Sequence, residues 1–84
     1  MITDVILSQN AYTELIKLPK HDQQKIKKKL AVLLNEPALG KKLSGEFSGI
    51  RSLRAWPYRI LYEIQDDKER IEVVKIAHRQ GVYR

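Results

Sequence analysis

The residues of this chain that can do chemistry crowd into its second half. Arg51, Arg54 and Arg59 stand inside the stretch GIRSLRAWPYRILYEI, residues 49–64, and His78, Arg79 and Tyr83 lie close to the last position. Three guanidinium groups set into what otherwise reads as a buried hairpin repel one another, since like charges on adjacent strands destabilise a sheet. The pattern calls for something negative to sit there. Lys41 and Lys42 add to it: from Lys41 to Arg59 five basic residues face a single acid, Glu46. A guanidinium offers planar, paired donors and a charge that does not titrate, which suits a phosphate and ill suits the role of general base.

The elements that must position these groups follow from hydrophobic periodicity. Val5, Ile6 and Leu7 form a short apolar run, read as a strand from about Ile2 to Leu7, ended by Ser8 and Asn10. Ser8 caps a helix whose Ala11, Leu15 and Leu18 recur at spacings of four and three, and Pro19 stops it. A second helix runs from about His21 to Asn35, with Ile26, Leu30, Leu33 and Leu34 on one face and Lys25, Lys27, Lys28 and Lys29 mostly on the other. A solvated amphipathic face accounts for the lysine run without a partner.

From Glu36 to Ser48 the sequence carries Pro37, Gly40 and Gly45 and reads as a loop with several turns. Beyond it come a strand over Ile50 to Ala55, a turn at Trp56 and Pro57, and a strand over Tyr58 to Gln65. In the latter, Tyr58, Ile60, Tyr62 and Ile64 alternate with Arg59, Leu61, Glu63 and Gln65. Asp66, Asp67 and Lys68 turn the chain into a last strand over Arg70 to Ala77. The expected fold is α+β: a small antiparallel sheet packed against an N-terminal two-helix hairpin, in the order β-α-α-β-β-β. Strict alternation sends Arg51 and Arg54 to opposite faces, so only a bulge or an early strand end brings both to one site.

Composition narrows the function classes. Eighty-four residues suit one domain spanning 1–84, and 43% hydrophobic with 31% charged residues suits a globular chain. The absence of cysteine removes disulfides and thiolate metal sites, and two distant histidines make no metal centre. No P-loop, GxSxG or carboxylate-dyad pattern occurs. No apolar run is long enough for a membrane span, and MITDVILS lacks the features of a signal peptide, so a cytoplasmic protein is expected. A net charge of +6 favours a polyanion or an acidic protein as partner.

The succession of LSG, GIRSLRxxPYRILYEI and HRxxVY resembles the RelE/ParE toxin superfamily, in its RelE branch, over essentially the whole chain. The resemblance implies the toxin of a toxin-antitoxin pair, which enters the ribosomal A site and cleaves messenger RNA without metal or cofactor. The RNA 2′-hydroxyl attacks the neighbouring phosphate in that reaction. It therefore needs a base for the hydroxyl, cations for the charged phosphorane and an acid for the leaving 5′-oxygen. By the same resemblance Arg59 stabilises the phosphate, Arg79 contacts it as well, and Tyr83 stacks on a base or moves a proton. Arg51 and Arg54 fall near positions where RelE enzymes carry lysines, which leaves the general base open among Lys41, Lys42, His78 and Glu36. Glu36 enters because a YoeB-like relative uses a glutamate in a similar Glu-Pro stretch. The implied partners are the ribosome, messenger RNA and a cognate antitoxin with an acidic C-terminal segment.

Plainer roles stand beside these. Arg59 has Glu63, four residues along the chain and two positions along on the same face, as a possible partner, or a carboxylate of the next strand. Trp56 either stacks on RNA or covers the edge of the core, and His78 suits a structural hydrogen bond. At the level of the whole protein, two alternatives share these residues: a ParE-like inhibitor of DNA gyrase without enzymatic activity, and a basic RNA-binding module that cuts nothing.

Overall fold

The change from strand to helix at Ser8 shows how local chemistry builds the N-terminal half. In the computed structural model, which describes residues 1–79, the Ser8 hydroxyl accepts the Ala11 N–H at 3.1 Å and donates to the Val74 carbonyl at 3.3 Å. One side chain thus caps a helix and fastens it to a distant strand. Strand β1 (Asp4–Leu7) precedes it, helix α1 (Gln9–Ile16) follows, and α2 (Lys20–Asn35) begins just after Pro19. Ala11 and Leu15 of α1 and Ile26, Leu30 and Leu33 of α2 are buried, as their spacing requires. Leu34, expected on the same face, is 41% exposed because it falls one position past Leu33, about 100° further round the helix.

Four further strands complete one sheet: β2 (Lys41–Lys42), β3 (Arg51–Ala55), β4 (Tyr58–Gln65) and β5 (Arg70–His78). Their order across the sheet is β1-β5-β4-β3-β2. The α+β layout of a helix pair on a sheet is as expected, with two differences. β1 runs parallel to β5, from Asp4 beside Arg70 to Leu7 beside Val73, so the sheet is mixed. The expected loop also contributes the two-residue strand β2, with Lys41 opposite Ser52 and Lys42 opposite Arg51. Two lysines carry no alternation of apolar residues, and the direction of a long-range pairing leaves no local periodicity, so neither feature shows in the sequence.

Residues directly opposed across an antiparallel pair share a face. Arg51, Leu53 and Ala55 of β3 therefore lie with Tyr62, Ile60 and Tyr58 of β4 on the side covered by the helices. Ile71, Val73 and Ile76 of β5 join them in the core, which Val5 and Leu7 flank. A shift of register between Leu61 and Tyr62 pairs them with Lys75 and Val73, leaving Val74 as the extra residue of a bulge. Past the end of β1 the open edge of β5 is closed by Glu14 of α1. Its carboxylate accepts the Ile76 N–H at 2.9 Å and pairs with Lys75 at 3.2 Å. No helix among the described residues is long and apolar enough to cross a membrane.

A candidate anion site on the open face of the sheet

The other face of the sheet carries the cations. Ser52 and Arg54 of β3 stand opposite Leu61 and Arg59 of β4, and β5 places Lys75 and Ala77 in the same two rows. Lys41 of β2 extends the first row beside Ser52. One row thus reads Lys41, Ser52, Leu61, Lys75, and the next reads Arg54, Arg59, Ala77. Adjacent strands are about 4.8 Å apart and alternate residues along a strand about 6.6 Å, so the Arg54–Arg59 row fits under a few nucleotides. In the other row Ser52 and Leu61 are buried, and its ends, Lys41 and Lys75, are the residues that reach solvent.

Arg54 and Arg59 are directly opposed, which costs a sheet stability unless something negative lies over them. No carboxylate among the described residues relieves them, since the ion pairs there are Met1 with Glu69 and Lys75 with Glu14. The anticipated alternative for Arg59, a pairing with Glu63, is not formed. Glu63 instead accepts from the Gln65 side chain at 2.9 Å, in a chain of hydrogen bonds that continues through Gln65 to Glu72 and Arg70. Ser52 is buried in this layer, and its hydroxyl has no hydrogen-bond partner among the described residues.

At the end of β3 and β4 the cationic rows meet an aromatic ring. Trp56 occupies the two-residue turn with Pro57, joined by a cis peptide bond, and is 55% exposed. The Arg79 guanidinium carbon lies 4.9 Å from its ring centroid and that of Arg54 5.9 Å, both within cation–π range. Two backbone contacts hold the turn: Lys25 Nζ donates to the Trp56 carbonyl at 3.0 Å, and the Arg79 N–H donates to the Pro57 carbonyl at 2.8 Å. Arg54, Arg59 and Arg79 are thereby gathered at one end of the sheet.

Arg51 is not part of this group. Alternation turns it to the helix side, where Nη1 donates to the carbonyls of Gly40 at 2.8 Å and Ala38 at 3.2 Å. Beside it the buried Tyr62 hydroxyl donates to the Pro37 carbonyl at 2.7 Å and accepts the Gly40 N–H at 2.8 Å. Burial raises the Tyr62 pKa above that of a free phenol, with the Gly40 N–H and the Arg51 charge opposing. Gly40 leaves no room for more, as a Cβ there would come within 2.7 Å of the Tyr62 ring. Together Arg51 and Tyr62 hold the segment that delivers β2, and with it Lys41, to the sheet edge. Lys42 stands on the Arg51 side, lining with it and Pro37 a depression of about 460 Å³.

His78 opposes Tyr58 and meets its ring edge-on at 6.0 Å between centroids. The Tyr58 hydroxyl donates to Asp22 Oδ2 at 2.7 Å, and its pKa is raised by that hydrogen bond, then by burial and by the carboxylate's charge. Glu36 ends α2, and neither it nor His78 shares a row with Arg54 and Arg59. Among the candidates for the base, Lys41 alone lies on the arginine face. Tyr83 lies outside the described residues. No group of three His, Cys, Asp or Glu able to hold a metal occurs among those described.

One contributor escaped the sequence reading: Lys25 reaches Trp56 from a helix 31 positions away with no local signal to announce the contact. Trp56 itself is open, in the sequence, between stacking on RNA and covering the core, and its 55% exposure goes against the second.

Known proteins fit this geometry. The family model for the ParE toxin of the type II toxin-antitoxin system, parDE, matches residues 5–83. Toxin RelE of Mycobacterium tuberculosis is 43% identical over 53 residues, covering 62% of this chain and 55% of that one. Toxin RelG of the same organism is 38% identical over 53 residues, covering 62% and 61%. The matched stretches thus span little more than half the length of these curated relatives. Among solved structures, a RelBE toxin-antitoxin complex from M. tuberculosis superposes with a TM-score of 0.84 at 30% identity, covering 93% of both chains. A mutant of the E. coli toxin RelE in the free state gives 0.80 at 26%, covering 98% of this chain and 88% of that one. A match that runs through nearly the whole sequence shows that the chain belongs to the ParE toxin family of type II toxin-antitoxin systems and is RelE-like within it.

Proposed function

We propose that the protein is a ribosome-dependent endoribonuclease that cuts messenger RNA in the A site by attack of a 2′-hydroxyl on the adjacent phosphate. The observation that carries this reading is the directly opposed pair Arg54 and Arg59, unrelieved by any described carboxylate and joined at the end of the sheet by Arg79. Arg59 and Arg79 are assigned to the phosphorane, whose extra negative charge they stabilise more than the ground-state phosphate. Arg54 binds the flanking backbone. Lys41, on the same face one row away, is the residue assigned to the hydroxyl proton. Lys42, opposite Arg51, and His78, opposite Tyr58, stand off that face and are assigned to substrate only beyond the reacting phosphate. Tyr83 is assigned to base stacking or to protonation of the leaving oxygen, and Arg51 to holding the loop that carries Lys41. The setting is the cytoplasm, where ribosomes are found.

An antitoxin is part of the proposal. The M. tuberculosis relative was solved as a toxin-antitoxin complex, and a net charge of +6 suits a partner with an acidic C-terminal segment that covers the arginine face. Complex formation is expected to weaken with salt and to abolish cleavage.

The test is addition of the protein to a translating extract, with message ends mapped by primer extension. Cleavage that requires ribosomes and is lost in Arg59→Ala and Tyr83→Ala is the expected result. The family model bears the ParE name, which favours one competing reading, a gyrase inhibitor without nuclease activity. Intact message beside blocked DNA supercoiling would establish that reading instead.

A further inference from the structure

We infer that Trp56 is a stacking platform for one unpaired base of the bound RNA, set beside the phosphate-binding arginines. The inference rests on the RNA reading above and adds a residue that reads the nucleotide rather than the backbone.

The ring is placed where the core does not need it. Its neighbours Ala55 and Tyr58 are 2% and 9% exposed, whereas Trp56 leaves 55% of itself in solvent. A large aromatic on a tight turn ordinarily gains by folding back over apolar neighbours. Here it is kept out by contacts to its own backbone. The Lys25 ammonium takes the Trp56 carbonyl, and the Arg79 N–H takes the carbonyl of Pro57. The turn has only two residues between β3 and β4, so the ring is held in advance of any ligand.

Its surroundings suit a nucleotide. Arg79 and Arg54 bring guanidinium groups to 4.9 and 5.9 Å of the ring, and Arg59 stands opposite Arg54. A phosphate on the arginines leaves its base beside a partly open indole, the combination of charge and aromatic face by which proteins hold single-stranded nucleic acid. An acidic peptide would use the guanidinium groups and have no need of the ring.

Trp56 is the sole tryptophan of the chain, so its fluorescence reports the contact directly. The probe is a short, uncleavable 2′-O-methyl oligoribonucleotide, compared with an abasic strand of the same length and charge and with a glutamate-rich peptide. The oligonucleotide should quench Trp56 far more than either control. By anisotropy of a labelled strand, Trp56→Leu should weaken binding about tenfold and Trp56→Phe much less, as expected for one stacked base. Equal quenching by the abasic strand or the peptide, or unchanged affinity in Trp56→Leu, would overturn the inference. The outcomes separate from those of the nuclease assay. Base-dependent quenching with uncut message removes the nuclease and supports the platform, and cleavage without base-dependent quenching does the reverse.

Discussion

Replacing Tyr62 by phenylalanine tests whether the segment before β2 is held from beneath. The hydroxyl is fully buried and makes two hydrogen bonds, to the Pro37 carbonyl at 2.7 Å and from the Gly40 N–H at 2.8 Å. Its removal strands the buried Gly40 N–H, at roughly 1–3 kcal/mol, and the part-buried Pro37 carbonyl, toward the lower end of that range, partly offset because a phenyl ring is cheaper to bury than a phenol. A net loss of about 2–3 kcal/mol is expected. Total stability for a chain of this size is roughly 4–12 kcal/mol, so the effect is large. In urea, where a small domain loses about 1 kcal/mol per molar, the midpoint should fall by roughly 2 M or more with unchanged slope. Arg51→Met removes two further bonds to the same segment, so the double mutant should depart from additivity by roughly 0.5 kcal/mol or more. The same substitution should speed hydrogen exchange at Lys41 and Lys42 more than at the core positions Ile60 and Val73. A midpoint shift below about 0.5 M, or strict additivity with Arg51→Met, would refute the claim that these two side chains jointly secure β2.

Three further expectations follow from the same contacts. Arg54→Gln relieves the opposed guanidinium pair and should raise stability by roughly 0.2–1 kcal/mol at low salt while weakening RNA binding; a variant that is both less stable and equally tight would argue against an anion site there. The Tyr58 pKa is raised above the ordinary 10.0, so the native state holds that proton more tightly than the unfolded chain. Stability from the Tyr58–Asp22 bond is full below pH 10 and falls as pH climbs toward the raised value, and urea midpoints between pH 9 and 11 should decline less steeply in Tyr58→Phe. Ser8→Ala loses the α1 cap and the link to Val74 and should cost about 1 kcal/mol by thermal unfolding, with Ser8→Gly costing less than the alanine variant if capping is the cause.

Local patterns carried most of the architecture. The Ser8 cap, the 3.6-residue spacing of Ala11 and Leu15 and of Ile26, Leu30 and Leu33, and the alternation in Tyr58 to Gln65 each express a constraint that acts within a few residues, so all were legible before the chain was folded. The same alternation rightly separated Arg51 from Arg54. What lay beyond it were relations between distant segments: the parallel seat of β1 on β5, the pairing of Lys41 with Ser52, the reach of Lys25 to Trp56 and the closure of the β5 edge by Glu14.

The amino-acid sequence by itself determined that this protein has an α+β fold, an excess of positive charge and three arginines within one hairpin. Only the tertiary structure decided their allegiance. Register across β3 and β4 put Arg54 against Arg59 on the open face, while the helix side claimed Arg51 for the carbonyls of Ala38 and Gly40. Side-chain direction in a strand is fixed by alternation, but which face is open and which is covered depends on where the two helices dock, and docking is a property of the whole core.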